Sequence, residues 1–246
     1  MMTQSARSVL AECDCVVGYS TYIRLISDLI SDKEVVQTGM QGEVERAQVA
    51  IERARAGRQV AAVSSGDAGV YGMAGVIFEV LLAEGWRPGD APSVEVIPGL
   101  PALVAVAALL GAPLTQDFAA ISLSDLLTPW STIARRLEAA AAADFVIALY
   151  NPRSEQRTQP LTEAKVILER YRSPETPVGI VRAAHRERQS VIVTTLSDLP
   201  VEVVDMLTLV IVGNSQTLRV ENCMVTPRGY GGKYRLAKEE PVNGGQ

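Results

Sequence analysis

The chain has 246 residues, 48% of them hydrophobic and 21% charged, which is apolar material enough for one large domain or two of ordinary size. A net charge of −5 argues against nucleic acid or an anionic membrane as the main partner. Three cysteines and a single histidine exclude a four-ligand zinc or iron–sulfur site built from nitrogen and sulfur donors alone, so no metal is expected.

The odd cysteine count (Cys13, Cys15, Cys223) fits a reducing compartment better than a disulfide framework. "MMTQSARSVL" lacks the basic-then-apolar pattern of a secretory signal. "LPALVAVAALLGAPL" is shorter than a membrane span and flanked by proline and glycine. The expectation is a cytoplasmic protein without a membrane partner.

Helical and extended patterns alternate along the first half. "QSARSVLAE" reads as a helix, "CDCVVGY" as a short buried strand, "TYIRLISDLI" as a helix and "EVVQT" as extended. "GEVERAQVAIERARAG" is an amphipathic helix ended by Gly57, and the apolar run in "RQVAAVSS" predicts a strand buried on both faces. A glycine-rich loop, "VSSGDAGVYGMAG", follows directly. "GVIFEVLLAEG" is helical, "SVEVIPG" reads as a strand, and "LPALVAVAALLG" is a core helix stopped by Gly111 and Pro113. Alternation of this kind predicts a parallel sheet with helices on both faces.

A second series follows "GAPLTQDF". "AAISL" is a strand, and "TPWSTIARRLEAAAAA" opens with a Thr-Pro helix start. "DFVIALYNPRS" is a strand that leaves into a polar loop, and "LTEAKVILERYR" is a helix. "PVGIVRAAHRERQSVIVTTL" reads as two strands joined by a charged turn, and "LTLVIVGNSQT" as the last buried strand. These elements predict an α/β domain over 1–114, a second over 118–232 and a polar, disordered tail over 233–246.

The glycine loop is not a phosphate loop. It lacks Gly-Lys-Ser/Thr and does not fit Gly-x-Gly-x-x-Gly, which also counts against a dinucleotide-binding oxidoreductase. Asp67 sits where the loop must turn, and a carboxylate repels phosphate, so the ligand should bring donors or positive charge. Gly72 and Gly75 read as permitting close helix–sheet packing. In open parallel sheets ligands bind beyond the carboxyl ends of strands. That selects "SGDAGVYG", "PGLPA", "LSDLLTPW", "YNPRSEQR", "RAAHRER" and "GNSQT". Cys13 and Cys15 read as packing residues, and Trp86 and Trp130 as core or interface anchors.

The ordered set "SSGDAGVYGMAG", "IPGLPA", "ISLSDLLTPW", "LYNPRS", "TPVGIVRAAHRE" and "VIVGNSQT" resembles the tetrapyrrole methylase family over residues 3 to 230. The resemblance implies two α/β domains, an N-terminal parallel sheet with flanking helices and a C-terminal mixed sheet, with the active-site cleft between them. It implies a homodimer that uses S-adenosylmethionine on a tetrapyrrole. By the family's pattern, Ser65, Gly66, Asp67 and Val70 line the cofactor site, with Pro101 and Ala102, Asn151 and Ala184 as further contacts. A carboxylate such as Asp67 suits a ligand with amino and sulfonium charge.

Within the family, "SLSDLLTPW", "YNPRS" and "VIVGNSQT…MVTPRGY" resemble the branch that methylates carbon 17 of precorrin-3B and contracts the ring toward precorrin-4 in cobalamin synthesis. Transfer to carbon 11 or 20, or a non-catalytic tetrapyrrole carrier, are the alternatives. Two departures stand out. The family's first strand and Gly-Pro-Gly loop have no counterpart in "MMTQSAR", which implies an upstream start or a truncated chain. Gln116 stands where relatives commonly carry histidine before Asp-Phe.

Ring contraction needs a base at a ring hydroxyl and an acid at a departing lactone oxygen. His185, Asp125, Asp117 and Tyr71 are the catalytic candidates, with His185 first because only imidazole titrates near neutrality unperturbed. A polycarboxylate substrate calls for arginine. Arg153, Arg157, Arg182 and Arg186, with Ser124, are the substrate-binding candidates, and Arg188 and Arg228 lie in similar loops. The competing reading of "RERQ" is a charged hairpin turn.

Overall fold

The computed structural model describes residues 1–39 and 42–236. It divides into two compact units, Met1–Ala102 and Leu103–Gln246.

The first unit runs α1 (Gln4–Glu12), β1 (Cys15–Tyr19), α2 (Ser20–Arg24), β2 (Glu34–Thr38), α3 (Glu43–Arg55), β3 (Val60–Val63) and α4 (Met73–Ala83). Thr3 caps α1 by accepting the Ala6 N–H at 3.2 Å. The strands form a parallel sheet in the order β2-β1-β3. Successive side chains of β1 point to opposite faces, and helices cover both. Val16 packs with Leu10, Ile23, Ile26 and Ile30 on one side, and Cys15 and Val17 pack with Ala50 of α3 on the other. Cys13 and Cys15 are therefore core residues, and burial pushes both thiols above the ordinary range. Trp86 closes a further cluster with Ile51 and Leu81, its indole N–H donating to the Asp90 and Pro92 carbonyls at 3.1 Å.

Three expectations for this unit are corrected. "TYIRLISDLI" is not one helix: α2 stops at Arg24, and i→i−3 bonds from Leu25, Ile26 and Leu29 tighten the chain into a short 3-10 turn at Ser27–Leu29. β3 is half-buried rather than buried on both faces, because it lies at an edge of the described sheet. "SVEVIPG" forms no strand. Its polar groups go elsewhere: the Pro98 carbonyl accepts from Thr3 Oγ1 at 3.0 Å and the Gly99 N–H donates to Asp67, while Val94 packs toward Trp86.

The second unit takes α5 (Ala102–Leu110) from its second residue, then β4 (Gly111–Ala112), β5 (Phe118–Ser122), α6 (Trp130–Ala142) and β6 (Val146–Tyr150). It continues with α7 (Gln159–Leu168), β7 (Pro177–Arg182), β8 (Ser190–Thr195), β9 (Thr208–Val212), β10 (Leu218–Val220) and β11 (Cys223–Val225). Its main sheet is mixed, in the order β5-β6-β9-β7-β8, with β5 and β6 parallel and the other neighbours antiparallel. One face (Ile147, Leu149, Val178, Ile180, Val210) packs on α6 and α7, with Trp130 at its margin. The other (Val146, Ala148, Val181, Leu209, Ile211) packs on Leu103, Val106 and Leu110 of α5 and on Met224.

That second layer explains where the units divide. The apolar face of α5 belongs to the second sheet, so the compact units divide at Ala102/Leu103, whereas the sequence pattern puts α5 in the domain over 1–114. Tyr150 reinforces it by accepting the Leu103 N–H at 2.9 Å. β9 is the last strand buried along its whole length; two short strands without a visible sequence pattern, β10 and β11, follow it, and β11 pairs with β4. The tail expected over 233–246 lies outside the described residues from 237 onward. No helix among the described residues is long and apolar enough to cross a membrane.

Candidate functional site

In the first unit the glycine loop leaves the carboxyl end of β3 and folds against residues 99–102. Gly66 turns the chain at a φ of +76°, a conformation that costs glycine little. Asp67 then joins two stretches of backbone: one carboxylate oxygen accepts the Gly69 N–H and the other the Gly99 N–H, both at 2.8 Å. The fit is tight. A Cβ on Gly99 would collide with the Gly66 carbonyl oxygen, and one on Gly72 would stand 2.7 Å from the carbonyl oxygens of Asp67 and Ala68 and from Ser64 Oγ.

Gly72 therefore serves the loop's own closure rather than helix–sheet packing. Gly75 meets nothing within 4 Å and has no packing role of that kind. Gly66, Gly69, Val70, Tyr71 and Ala102 are exposed along this braid, and Ser65, Asp67 and Pro101 are half-buried. A cofactor seat made of bare backbone with one apolar side chain fits the bracing that the glycines provide. The Asp67 carboxylate counts against a phosphate here, and exposed backbone beside Val70 suits a ligand with polar and apolar parts such as S-adenosylmethionine.

In the second unit the candidates collect at the carboxyl ends of β5, β6 and β7. These strands run in the same direction, because β9 lies antiparallel between β6 and β7. Ser122 Oγ accepts from Asn151 Nδ2 at 3.0 Å and from the Ser124 N–H at 3.3 Å, coupling the loops after β5 and β6. Arg157 spans the same two loops, with Nη1 donating to the Leu123 carbonyl at 2.8 Å and both Nη atoms to the Asn151 carbonyl at 3.2 Å. Its Nε stands 3.7 Å from Asp125. Arg153 donates to the Val201 and Glu202 carbonyls.

After β7, Arg182 pairs with Asp205 at 2.7 Å. Burial alone would raise the Asp205 carboxyl. The Arg182 guanidinium, the Thr208 hydroxyl and the Leu207 N–H outweigh it and hold the carboxyl below its usual range. Ala184 and Arg186 are half-buried beside exposed His185, whose Nε2 lies 3.3 Å from the Ala105 carbonyl. The charged segment Arg186–Gln189 does close a hairpin between β7 and β8.

Backbone conformation points to the same loops. Of the six non-glycine residues with positive φ among the described residues, Tyr71, Asn151, Ala183 and His185 follow β3, β6 and β7. Such residues persist where the surroundings over-determine them, often at functional sites.

Asp117 does not join this group. It precedes β5, so it stands at the other end of that strand from Ser122, about 17 Å away at the usual rise per residue. There it lines a pocket of about 210 Å³ with Gln116, Ala143, Asp144, Phe145 and Asn214. Gln116 is structural in this place, accepting from Asn214 Nδ2 and donating to the Pro227 carbonyl. Arg228, held by the Thr115 carbonyl, also belongs to this end. Sequence reasoning missed Ser122, Tyr150 and Asp205, each of which orders a candidate loop. It also passed over Leu126, Leu127, Met206 and Leu207, which are large apolar side chains left exposed on those loops. A signal was present for the leucines, in that an apolar pair interrupts the polar run "SLSDLLTP".

The chain matches known proteins along most of its length. The model of the tetrapyrrole (corrin/porphyrin) methylases matches residues 1–200. The chain is 51% identical over 239 residues to the cobalt-factor III methyltransferase of Priestia megaterium, covering 97% of this chain but only 44% of that longer protein. It is 50% identical over 230 residues to a probable cobalt-factor III C(17)-methyltransferase of Salmonella typhimurium, covering 94% of each. The crystal structure of the methyltransferase CobJ superposes with a TM-score of 0.85 at 39% identity, over 92% of this chain and 93% of that one.

Proposed function

The chain belongs to the tetrapyrrole (corrin/porphyrin) methylases, and from that premise we propose that it methylates carbon 17 of a cobalamin precursor with S-adenosylmethionine as donor. Two substrates fit: cobalt-factor III, for which the relatives above are named, and precorrin-3B, which the motif resemblance implies. The observation that carries this reading is 50% identity across 94% of both chains with a relative named for that activity. We further assign contraction of the macrocycle to the same enzyme, a homodimeric state and a cytoplasmic location. The family resemblance supports the first two, and cysteine usage supports the third.

S-adenosylmethionine, once bound, would supply an electrophilic methyl group for carbon 17, with the sulfur keeping the electron pair of the broken C–S bond. The protein's share is binding, alignment and exclusion of water. Ser65, Gly66, Asp67, Val70, Pro101 and Ala102 of the first unit hold the cofactor, and the family resemblance assigns further contacts to Asn151 and Ala184. Arg186 and Ser124 meet the substrate's carboxylates, while Arg153, Arg157 and Arg182 hold protein groups and order the loops beside them. Exposed Leu126, Leu127, Met206 and Leu207 offer apolar surface to the ring face. His185, Asp125 and Tyr71 move protons during contraction, and Asp117 has no part in it.

The test is calorimetric binding of S-adenosylhomocysteine, then incubation with methyl-labelled S-adenosylmethionine and each substrate. Binding and label transfer to one of the two are expected. Neither binding nor transfer would leave a tetrapyrrole carrier as the better account.

A further inference from the structure

The Asp67 carboxylate has two obvious uses at a cofactor site. It could face the positive charge of the ligand, or it could organise the backbone that does the binding. Both oxygens are already engaged, one by the Gly69 N–H and one by the Gly99 N–H, each at 2.8 Å. These amides lie in two separate stretches of chain, the glycine loop and the segment leading to Pro101 and Ala102. Around the bridge there is no slack: a Cβ at Gly99 would collide with the Gly66 carbonyl oxygen and stand 3.0 Å from the Asp67 Cα. "SVEVIPG" forms no strand, so no sheet ladder fixes the position of residues 93–99. Asp67 supplies the cross-link that a ladder would have given.

We propose that Asp67 is a positioning residue: its carboxylate clasps the glycine loop to residues 99–102 and acts on the cofactor through that backbone, not as a counter-charge to the sulfonium. The inference rests on the reading that these two segments hold S-adenosylmethionine. The chemistry requires a carboxylate. Two N–H donors approach the two oxygens, and an amide of the same shape would turn its NH2 group against one of them. Asp67→Asn therefore opens one side of the clasp without changing the loop's volume.

The two uses differ in a measurable way. S-adenosylmethionine carries a sulfonium charge that S-adenosylhomocysteine lacks. Calorimetric titration of wild type and Asp67→Asn with both ligands, well below the melting temperature, separates them. The clasp predicts that both affinities fall by the same factor, on the order of tenfold. A loss confined to S-adenosylmethionine would overturn the clasp and leave the cofactor reading intact. Wild type that binds neither ligand would overturn the cofactor reading and this inference with it.

Amide hydrogen exchange on ligand-free wild type provides a measurement that does not depend on the variant folding. The Gly69 and Gly99 amides should exchange slowly before any ligand is added. Fast exchange that slows only with S-adenosylhomocysteine would show that the ligand, not Asp67, joins the two segments.

Discussion

Replacing Arg157 by alanine separates two roles for the arginines of the second unit, since a guanidinium can grip a substrate carboxylate or lock loops together. The side chain is 11% exposed and donates to the Leu123 carbonyl at 2.8 Å and twice to the Asn151 carbonyl at 3.2 Å. The ion pair with Asp125 is long, at 3.7 Å, and Asp125 is 39% exposed, so it adds little. A charged donor bonded to a carbonyl is worth about 1.5–3 kcal/mol. The shared Asn151 bonds are longer, and freeing the side chain recovers about 1.5–2 kcal/mol of rotamer entropy. The net loss comes to about 2 kcal/mol, or about 4–8 °C in Tm for a chain of this size. Arg157→Lys should fall between, because one ammonium cannot span both carbonyls. The assays are thermal unfolding and steady-state kinetics with the tetrapyrrole varied. An unchanged Tm with a raised, salt-sensitive KM alone would refute the latch and return Arg157 to the substrate.

Three further outcomes follow from the packing and charges of the two units. Gly99→Ala should weaken S-adenosylhomocysteine binding by at least about tenfold in calorimetry, since two backbone segments must part and a misplacement of about 1 Å is enough for such a loss. Gly179→Ala on β7 would press a Cβ against Leu110 and to 2.8 Å from Met224 Sδ. It should cost about 1–3 kcal/mol in urea unfolding, and Leu110→Ala in the same chain should recover part of that loss. Asp205 has a folded-state pKa held below its unfolded value. Its stabilisation is therefore present above about pH 4 and lost as pH falls through the lower folded value. Asp205→Asn should flatten the acid limb of the stability–pH curve below about pH 4, and an unchanged limb would remove Asp205 from the account.

The layered α/β plan was legible because long elements write their period into the sequence. β6 and β9 are continuous apolar runs buried on both faces, and α6 carries a clear apolar stripe through Ile133 and Leu137. Where pairing rather than pattern decides, the reading failed. "SVEVIPG" alternates like a strand yet gives its groups to Thr3 and Asp67. β4, β10 and β11 have two or three residues each, too few to show a period. The loops after β3, β5, β6 and β7 were legible because they follow strands and carry turn residues, whereas "PGLPA" follows no strand and "GNSQT" follows β9, which runs the other way. Side-chain employment was not: nothing in the spacing of Arg153, Arg157 and Arg182 reveals that their guanidiniums hold protein groups. Asp117 stands apart from the other candidates for a simple reason. It adjoins a strand, but at the amino end.

The central claim, methylation at carbon 17, is tested most directly by the position of the new methyl group. The chain would be incubated with 13C-methyl S-adenosylmethionine and cobalt-factor III or precorrin-3B, and the product located by NMR and mass. One labelled methyl on carbon 17, in a product whose absorption spectrum reports a contracted ring, is the expected result. Label at carbon 11 or 20 would contradict the assignment while leaving the chain a methyltransferase of the same family.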